Sequence, residues 1–400
     1  MPTVTTRREA EVNTPAIATL YVAFELGERE WKLAFTTGLG QRARHRTIRA
    51  RDLRRLDEEL SAAKRRFHLA ADVPVRSCYE AGREGFWLHR ALTARGIVNV
   101  VVDASSIEVN RRARRAKADR LDAEKLVEML VRYALGGRRV WHAVHVPSEA
   151  VEDRRHLERE RQSLLQEQTR LRNRIQGLLT TQGVKVRLTG DVPAALGRVK
   201  RWDGTPLAAG LLARLEREWA RCEAVAEELA TLETERRRAL RTGEDAAGVK
   251  GRKLEQLRAI GPTGAWTLST ELFSWREFRN RRQVGGLVGL TPTPYQSGDE
   301  RRELGISKSG NPQLRALMVE LAWLWLRYQP ESELRRWYEA RFAGGGPRLR
   351  RIGIVALARK LLIALWRYVE FDEVPAGAVL KASVKASVKA SVKASVKAVA

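Results

Sequence analysis

Apolar residues crowd into two short runs, Ile17–Glu25 and Trp31–Thr37, joined by the polar link Leu26-Gly27-Glu28-Arg29, a spacing that predicts a β-hairpin. A helix is predicted over Asp52–Phe67, then a strand at Val73–Glu80, a helix over Gly85–Ala94 and an apolar strand at Ile97–Asp103. Strands alternating with helices at this length predict a layered α/β domain that closes near residue 148, where Pro147-Ser148 punctuates the chain. The period then changes. Leu157, Leu164, Leu171 and Leu178 recur at heptad spacing with Ile175 between them, and Leu211, Leu215, Cys222, Val225, Leu229 and Leu232 repeat the pattern. A Gly/Pro-containing break, Gly183 to Pro206, separates these two predicted helices, which can pair as an antiparallel hairpin or between protomers. From Lys250 the pattern is helical again, with Leu314–Arg327 and Ile352–Tyr368 as core helices. The expected class is α/β plus α. It comprises a flexible start at 1–16, an α/β domain at 17–148, a coiled-coil region at 149–249, a helical domain at 250–375 and a basic low-complexity tail at 376–400, most of it repeating Lys-Ala-Ser-Val.

Charge narrows the partner. Against 48 Asp and Glu stand 74 Lys and Arg, a formal net charge of +26, which is the electrostatic footprint of a protein that neutralises phosphates. Most of the cations are arginine, which binds phosphate bidentately, so Arg42, Arg44, Arg46, Arg49, Arg51, Arg54 and Arg55 are expected to favour nucleic acid. No run approaches the ~18 apolar residues of a membrane span, and the N-terminus has no signal-peptide core. Cys78 and Cys222, the only cysteines, form neither a disulfide framework nor a zinc site, which fits a reducing cytosol.

Candidate chemistry begins at Lys117-Ala118-Asp119-Arg120-Leu121-Asp122, where two carboxylates at i and i+3 share one face of a predicted helix. They can hold a divalent cation while Arg111, Arg112, Arg114, Arg115 and Lys117 hold a phosphate backbone. Glu25 closes the first predicted strand and Glu80 the third. Four carboxylates gathered at one sheet edge would supply the hard oxygens of a two-magnesium site for phosphodiester chemistry. Singly, each has an ordinary structural role as a cap or an ion-pair partner. His142 and His145 sit in a strand-like run, face opposite sides and lack ligand geometry. Further on, Leu254–Leu268 reads as helix, turn, helix; Gly261 and Gly264 can let backbone N–H groups approach a phosphate, or can belong to a plain packing turn. Ser297 beside Gly298 is the candidate nucleophile, with Arg301, Arg302 and Lys308 as a clamp on the phosphate; a serine bonding its own turn is the alternative. Ser307 and Ser309 are competing candidates, but they flank a turn suited to capping the helix at Leu314.

Several blocks in order resemble the DEDD insertion-sequence transposases of the IS110 type, relatives of the Piv/MooV DNA invertases. They are Tyr79-Glu80-Ala81-Gly82, Lys117 to Ala123, Ile260-Gly261-Pro262-Thr263, Gly289-Leu290-Thr291-Pro292, Gln296-Ser297-Gly298 and Ile306 to Arg315. The resemblance implies an RNase H-like, RuvC-like N-terminal domain with the tetrad Glu25, Glu80, Asp119 and Asp122 around magnesium. It implies a mainly helical C-terminal transposase domain whose Ser297 attacks DNA to give a covalent intermediate. It further implies a guide (bridge) RNA encoded beside the gene and action in a bacterial or archaeal cytoplasm, at the nucleoid. The heptads add the expectation of a homo-oligomer, dimer or tetramer, and no membrane partner. One position departs: the family has aspartate where this chain has Glu25, which moves the carboxylate by about one C–C bond, ~1.5 Å. Asp103 is the acid expected to compensate. A RuvC-like nuclease without a serine intermediate, and a catalytically inactive nucleic-acid-binding protein, are the alternatives.

Overall fold

In the computed structural model residues 18–107, 119–137, 140–297 and 300–381 are described, with the backbone alone at 105, 119–121, 295–297 and 300–304. The chain divides at Val146/Pro147 into two compact units.

The first unit is built on five strands: β1 (Leu20–Leu26), β2 (Glu30–Thr36), β3 (Arg44–Arg49), β4 (Val75–Glu80) and β5 (Val98–Val102). Helix α1 (Leu53–Arg66) enters between β3 and β4, α2 (Trp87–Ala94) between β4 and β5, and α3 (Asp119–Ala134) follows β5. The sheet order is β3-β2-β1-β4-β5, antiparallel from β3 to β1 and parallel from β1 to β5. Alternation along the strands feeds two cores. Leu20, Val22 and Phe24 join Trp31, Val75, Tyr79 and the α1 and α2 leucines on one face. Tyr21 and Ala23 join Ala34, Cys78, Val102 and the α3 residues Ala123, Leu126, Val127 and Leu130 on the other. Burial pushes the Cys78 thiol up and leaves it unreactive; its Sγ lies 3.7 Å from Leu126 O.

Strand β3 is missing from the sequence reading because its alternation is masked by arginine; only Ile48 is buried. Of the seven arginines clustered from Arg42 to Arg55, four pair with acids of the protein, and all but Arg44 are exposed. Arg44 and Arg46 reach the buried Glu59 at 2.7 and 3.3 Å, Arg55 pairs with Glu58 and Glu59, and Arg51 pairs with Glu84 at 2.7 Å.

In the second unit, α4 (Glu149–Thr180) and α6 (Ala209–Thr242) lie along each other with short α5 (Val192–Gly197) packed at their turn. Leu164, Leu171, Ile175 and Leu179 meet Leu215, Trp219, Cys222, Val225, Leu229 and Leu232 in one core, so the heptad seams are filled within a single chain. There follow α7 (Ala246–Glu255), α8 (Pro262–Leu268), a π-helical turn at Ser269–Phe273, and α9 (Arg281–Leu287). A hairpin of β6 (Pro292–Ser297) and β7 (Glu300–Ile306) leads to α10 (Pro312–Tyr328), α11 (Glu333–Tyr338) and α12 (Pro347–Phe371). Trp266, Phe273, Met318, Trp325 and the leucines of α12 form their core. The expected tail does not begin at 376: Val379 and Lys381 pair with Arg258 and Gln256 around the fully buried Gln329, whose amide reaches Arg258 O at 2.7 Å and Val379 O at 3.0 Å. Residues 382–400 lie outside the description. No helix among the described residues is long and apolar enough to cross a membrane.

Glu158 on α4 and Arg236 on α6 meet at 3.0 Å with side chains 2% exposed each. Burial raises the Glu158 pKa against the pull of Arg236 and Arg161, and burial lowers that of Arg236, so desolvation outweighs attraction on both sides. Arg236→Ala, which strands the carboxylate, is expected to cost about 3–5 kcal/mol in chemical denaturation, while Glu158→Leu with Arg236→Met is expected to stay near wild type. Because the folded carboxyl binds its proton more tightly than the unfolded one, its contribution is full below the ordinary glutamate pKa and is lost as pH rises through the raised value. Glu158→Gln should remove that component from the pH–stability profile.

Candidate active site

The parallel register brings the candidate acids to one sheet edge. Phe24 on β1 pairs with Tyr79 on β4, and Glu80 pairs with Val102 on β5. Glu25 and Glu80 are therefore neighbours at the C-terminal ends of adjacent strands, about 4.8 Å apart in the hydrogen-bonding direction. Both follow the alternation of Ala23 and Cys78, which puts them on the face covered by α3. Asp122 lies four residues before Leu126 on that helix and so extends the stripe that packs on the sheet. Asp119 opens α3 three residues earlier; its side chain, and all of Arg111, Arg112, Arg114, Arg115 and Lys117, lie outside the description. Asp103 follows the end of β5, where its N donates to His142 O at 2.9 Å, and leads into the 3-10 turn Ala104–Ser106. Among the described residues no three His, Cys, Asp or Glu side chains close into a metal-binding group.

Four residues beyond Glu80, the buried Glu84 accepts from Trp87 Nε1 at 2.9 Å and from Arg51 at 2.7 Å. Burial opposes its ionisation, but the Trp87 bond and Arg51 prevail and hold the carboxyl below its usual range. This pair ties the loop after β4 to the one after β3, and it was not foreseen because its partners are 33 residues apart.

Ser297 ends β6, opposite Glu300, in the second unit; Arg302 and Arg301 stand on β7 across from Tyr295 and Gln296. The hairpin is fastened at its base. Ser307 N donates to Thr291 O at 2.9 Å, Lys308 N to Gly289 O at 3.1 Å and Asn311 N to Leu287 O at 3.1 Å. Asn311 caps α10 by accepting from Gln313 N and Leu314 N, and Arg315 donates to Val288 O at 3.2 Å. Two left-handed glycines allow the approach: a Cβ on Gly289 would lie 2.0 Å from Ser309 O, and one on Gly310 would lie 2.0 Å from Leu287 O. Lys308 is exposed and itself left-handed at φ 55°.

The helix–turn–helix at α7–α8 divides its two glycines. Gly261 is exposed at the cap of α8, but Gly264 is buried inside that helix, where a Cβ would meet Leu321 at 3.3 Å. Gly264 therefore serves packing and presents no backbone to a phosphate, a correction to its expected role.

Residues 27–182 match a transposase family model of the DEDD, IS110 type, and residues 251–338 match the model described as the transposase IS116/IS110/IS902 family. The putative transposase y4rJ of Sinorhizobium fredii is 39% identical over 378 residues, covering 91% of this chain and 95% of that protein. The chain belongs to the IS110-type DEDD transposases. More distant members are similar over less of their length. The transposase for insertion sequence element IS1328 of Yersinia enterocolitica is 26% identical over 62% of this chain and 71% of its own. The transposase for insertion sequence element IS1111A of Coxiella burnetii is 25% identical over 64% and 68%. Within the transposase chain, Glu80, Asp119 and Asp122 fall inside the first matched stretch and Ser297 inside the second, while Glu25 precedes the first by two residues.

Gly310→Ala is expected to destabilise the second unit by at least about 2 kcal/mol and to speed amide exchange in β6 and β7. Gly305→Ala, at φ 88° but with open space around it, should cost only the ~1 kcal/mol of the left-handed backbone.

Proposed function

We propose that this transposase cuts and rejoins DNA, with Glu25, Glu80, Asp119 and Asp122 as ligands for magnesium and Ser297 as nucleophile. The observation that carries the reading is the placement of Glu25 and Glu80 side by side on the face covered by the helix that bears Asp122. The strand order β3-β2-β1-β4-β5, with β2 alone running against its neighbours β1 and β3 while β1, β4 and β5 are parallel, supports an RNase H-like, RuvC-like domain. Carboxylates are the hard oxygen donors magnesium takes, and the bound ion would stabilise charge on the attacking and leaving oxygens.

In the proposed step the Ser297 Oγ–phosphorus bond forms as one phosphorus–oxygen bond of the DNA strand breaks. The serine proton leaves to base, and the departing DNA oxygen takes up a proton. Attack by a DNA hydroxyl on the serine–phosphorus bond then restores the hydroxyl and rejoins a strand. Arg301, Arg302 and Lys308 hold the phosphate, with Gly261 and the basic run Arg111 to Lys117 as further contacts. A guide RNA and a homo-oligomer, dimer or tetramer, belong to the same reading by family resemblance.

A second reading, a DNA-binding member without catalysis, is favoured by one observation: glutamate stands at position 25. Ser297→Ala is expected to abolish covalent protein–DNA capture on denaturing gels and to lower strand transfer by at least about a thousandfold. Asp122→Asn should do the same to strand transfer while leaving DNA retention in a gel shift intact, and Glu25→Asp should raise the rate. If purified chain with magnesium, DNA and its copurified RNA gives no transfer, and Glu25→Asp gives none either, the second reading stands.

A further inference from the structure

Between α4 and α6 the chain turns through residues 181–208, and there Trp202 stands 79% exposed. An indole in water leaves unburied one of the largest apolar surfaces any side chain carries. Here the exposure is built. Trp202 N donates to Gln182 O at 3.1 Å, and Gly183, at φ +72°, makes the room: a Cβ there would lie 2.9 Å from Trp202 Cβ. On the other side, Asp203 accepts from Thr205 N at 3.0 Å and Thr205 Oγ1 at 2.6 Å, while Arg201 donates to Asp203 at 3.1 Å and to Thr205 Oγ1 at 2.8 Å. The backbone is held before and after the residue, and the ring projects from it.

The surroundings say what the ring meets. Lys185, Arg187, Arg198 and Lys200 are exposed in the same turn and make no ion pair among the described residues. The two acids of the turn are engaged locally, Asp191 in capping α5 and Asp203 in the Thr205 network. A rigid aromatic among unpaired cations is the arrangement that stacks an unpaired base while holding the phosphates on either side. A second protein copy fits less well, because interfaces are depleted of lysine, and Lys185 and Lys200 stand in the same turn as the ring.

The geometry points to the turn between α4 and α6 as a binding surface for single-stranded DNA, with Trp202 stacking an unpaired base and Lys185, Arg187, Arg198 and Lys200 on its phosphates. The assignment rests on the transposase reading only for the identity of the nucleic acid and uses none of its chemistry.

The test is fluorescence anisotropy of a fluorescein-labelled 15-mer oligothymidylate titrated with the full chain. Trp202→Ala is expected to weaken binding about 5- to 150-fold, the range for losing one stacked base, with Trp202→Phe retaining most of the affinity. Binding to a blunt duplex should change less than twofold. Anisotropy reads binding with no chemical step, so failed catalysis and failed binding are told apart. Unchanged single-strand affinity in Trp202→Ala would overturn the proposal, as would an equal loss on duplex. So would displacement by oligouridylate at one-tenth the concentration of oligothymidylate, which assigns the surface to RNA. A Trp202→Ala chain that sediments as a smaller species than wild type would overturn it in favour of a second copy.

Discussion

The parallel register of β1, β4 and β5 is the constraint on which the catalytic reading depends. Once Phe24 is set against Tyr79 and Glu80 against Val102, two acids far apart in sequence become neighbours, and strand alternation decides that both look toward α3. A slip of one residue on β4 would send Glu80 to the apolar face lined by Trp31 and Leu88, where burying a carboxylate is costly. Burial of Ala23, Ala34 and Cys78, small side chains under α3, guards against that slip, because larger residues from the other face would not fit beneath the helix.

Much of the first unit was legible because apolar strands carry their own period. Glu25, Glu80 and the start of α3 were found from the ends of apolar runs, and these strands and helices lie within a few residues of their predicted bounds. β3 was not legible, since Arg44, Arg46 and Arg49 present guanidiniums where alternation usually shows, and an edge strand needs little apolar surface. The pairing of Arg44 with Glu59 and of Arg51 with Glu84 was not legible either, because 15 and 33 residues separate the partners.

In the second unit the family blocks were visible and their purpose was not. Gly289, Gly310, Asn311 and Arg315 stood out only as members of the family blocks, yet together they clamp the base of the β6–β7 hairpin on which Ser297 stands. A positive φ and a carbonyl 2 Å from a missing Cβ are facts of three dimensions, and sequence offers only the glycine. Gly264 makes the converse point, since a glycine in a turn-like motif proved to be a place where Leu321 presses against a helix. The heptads foretold that α4 and α6 would bury a seam, without saying that each would find its partner in its own chain.

The salt-bridged crossing at Glu158 and Arg236 has a mechanical consequence. At 1.5 Å per residue the 32 residues of α4 reach about 48 Å, and sliding one helix past the other by a single turn would pull apart a pair of ions that water cannot reach. The arm is thus a ruler with its zero mark fixed at the ionic crossing, and its graduation is the number of residues from there to the indole at the tip. Lengthening both helices by a heptad would carry that tip outward by about 10 Å on the same side, so evolution can adjust reach by whole heptads while leaving the anchored end untouched.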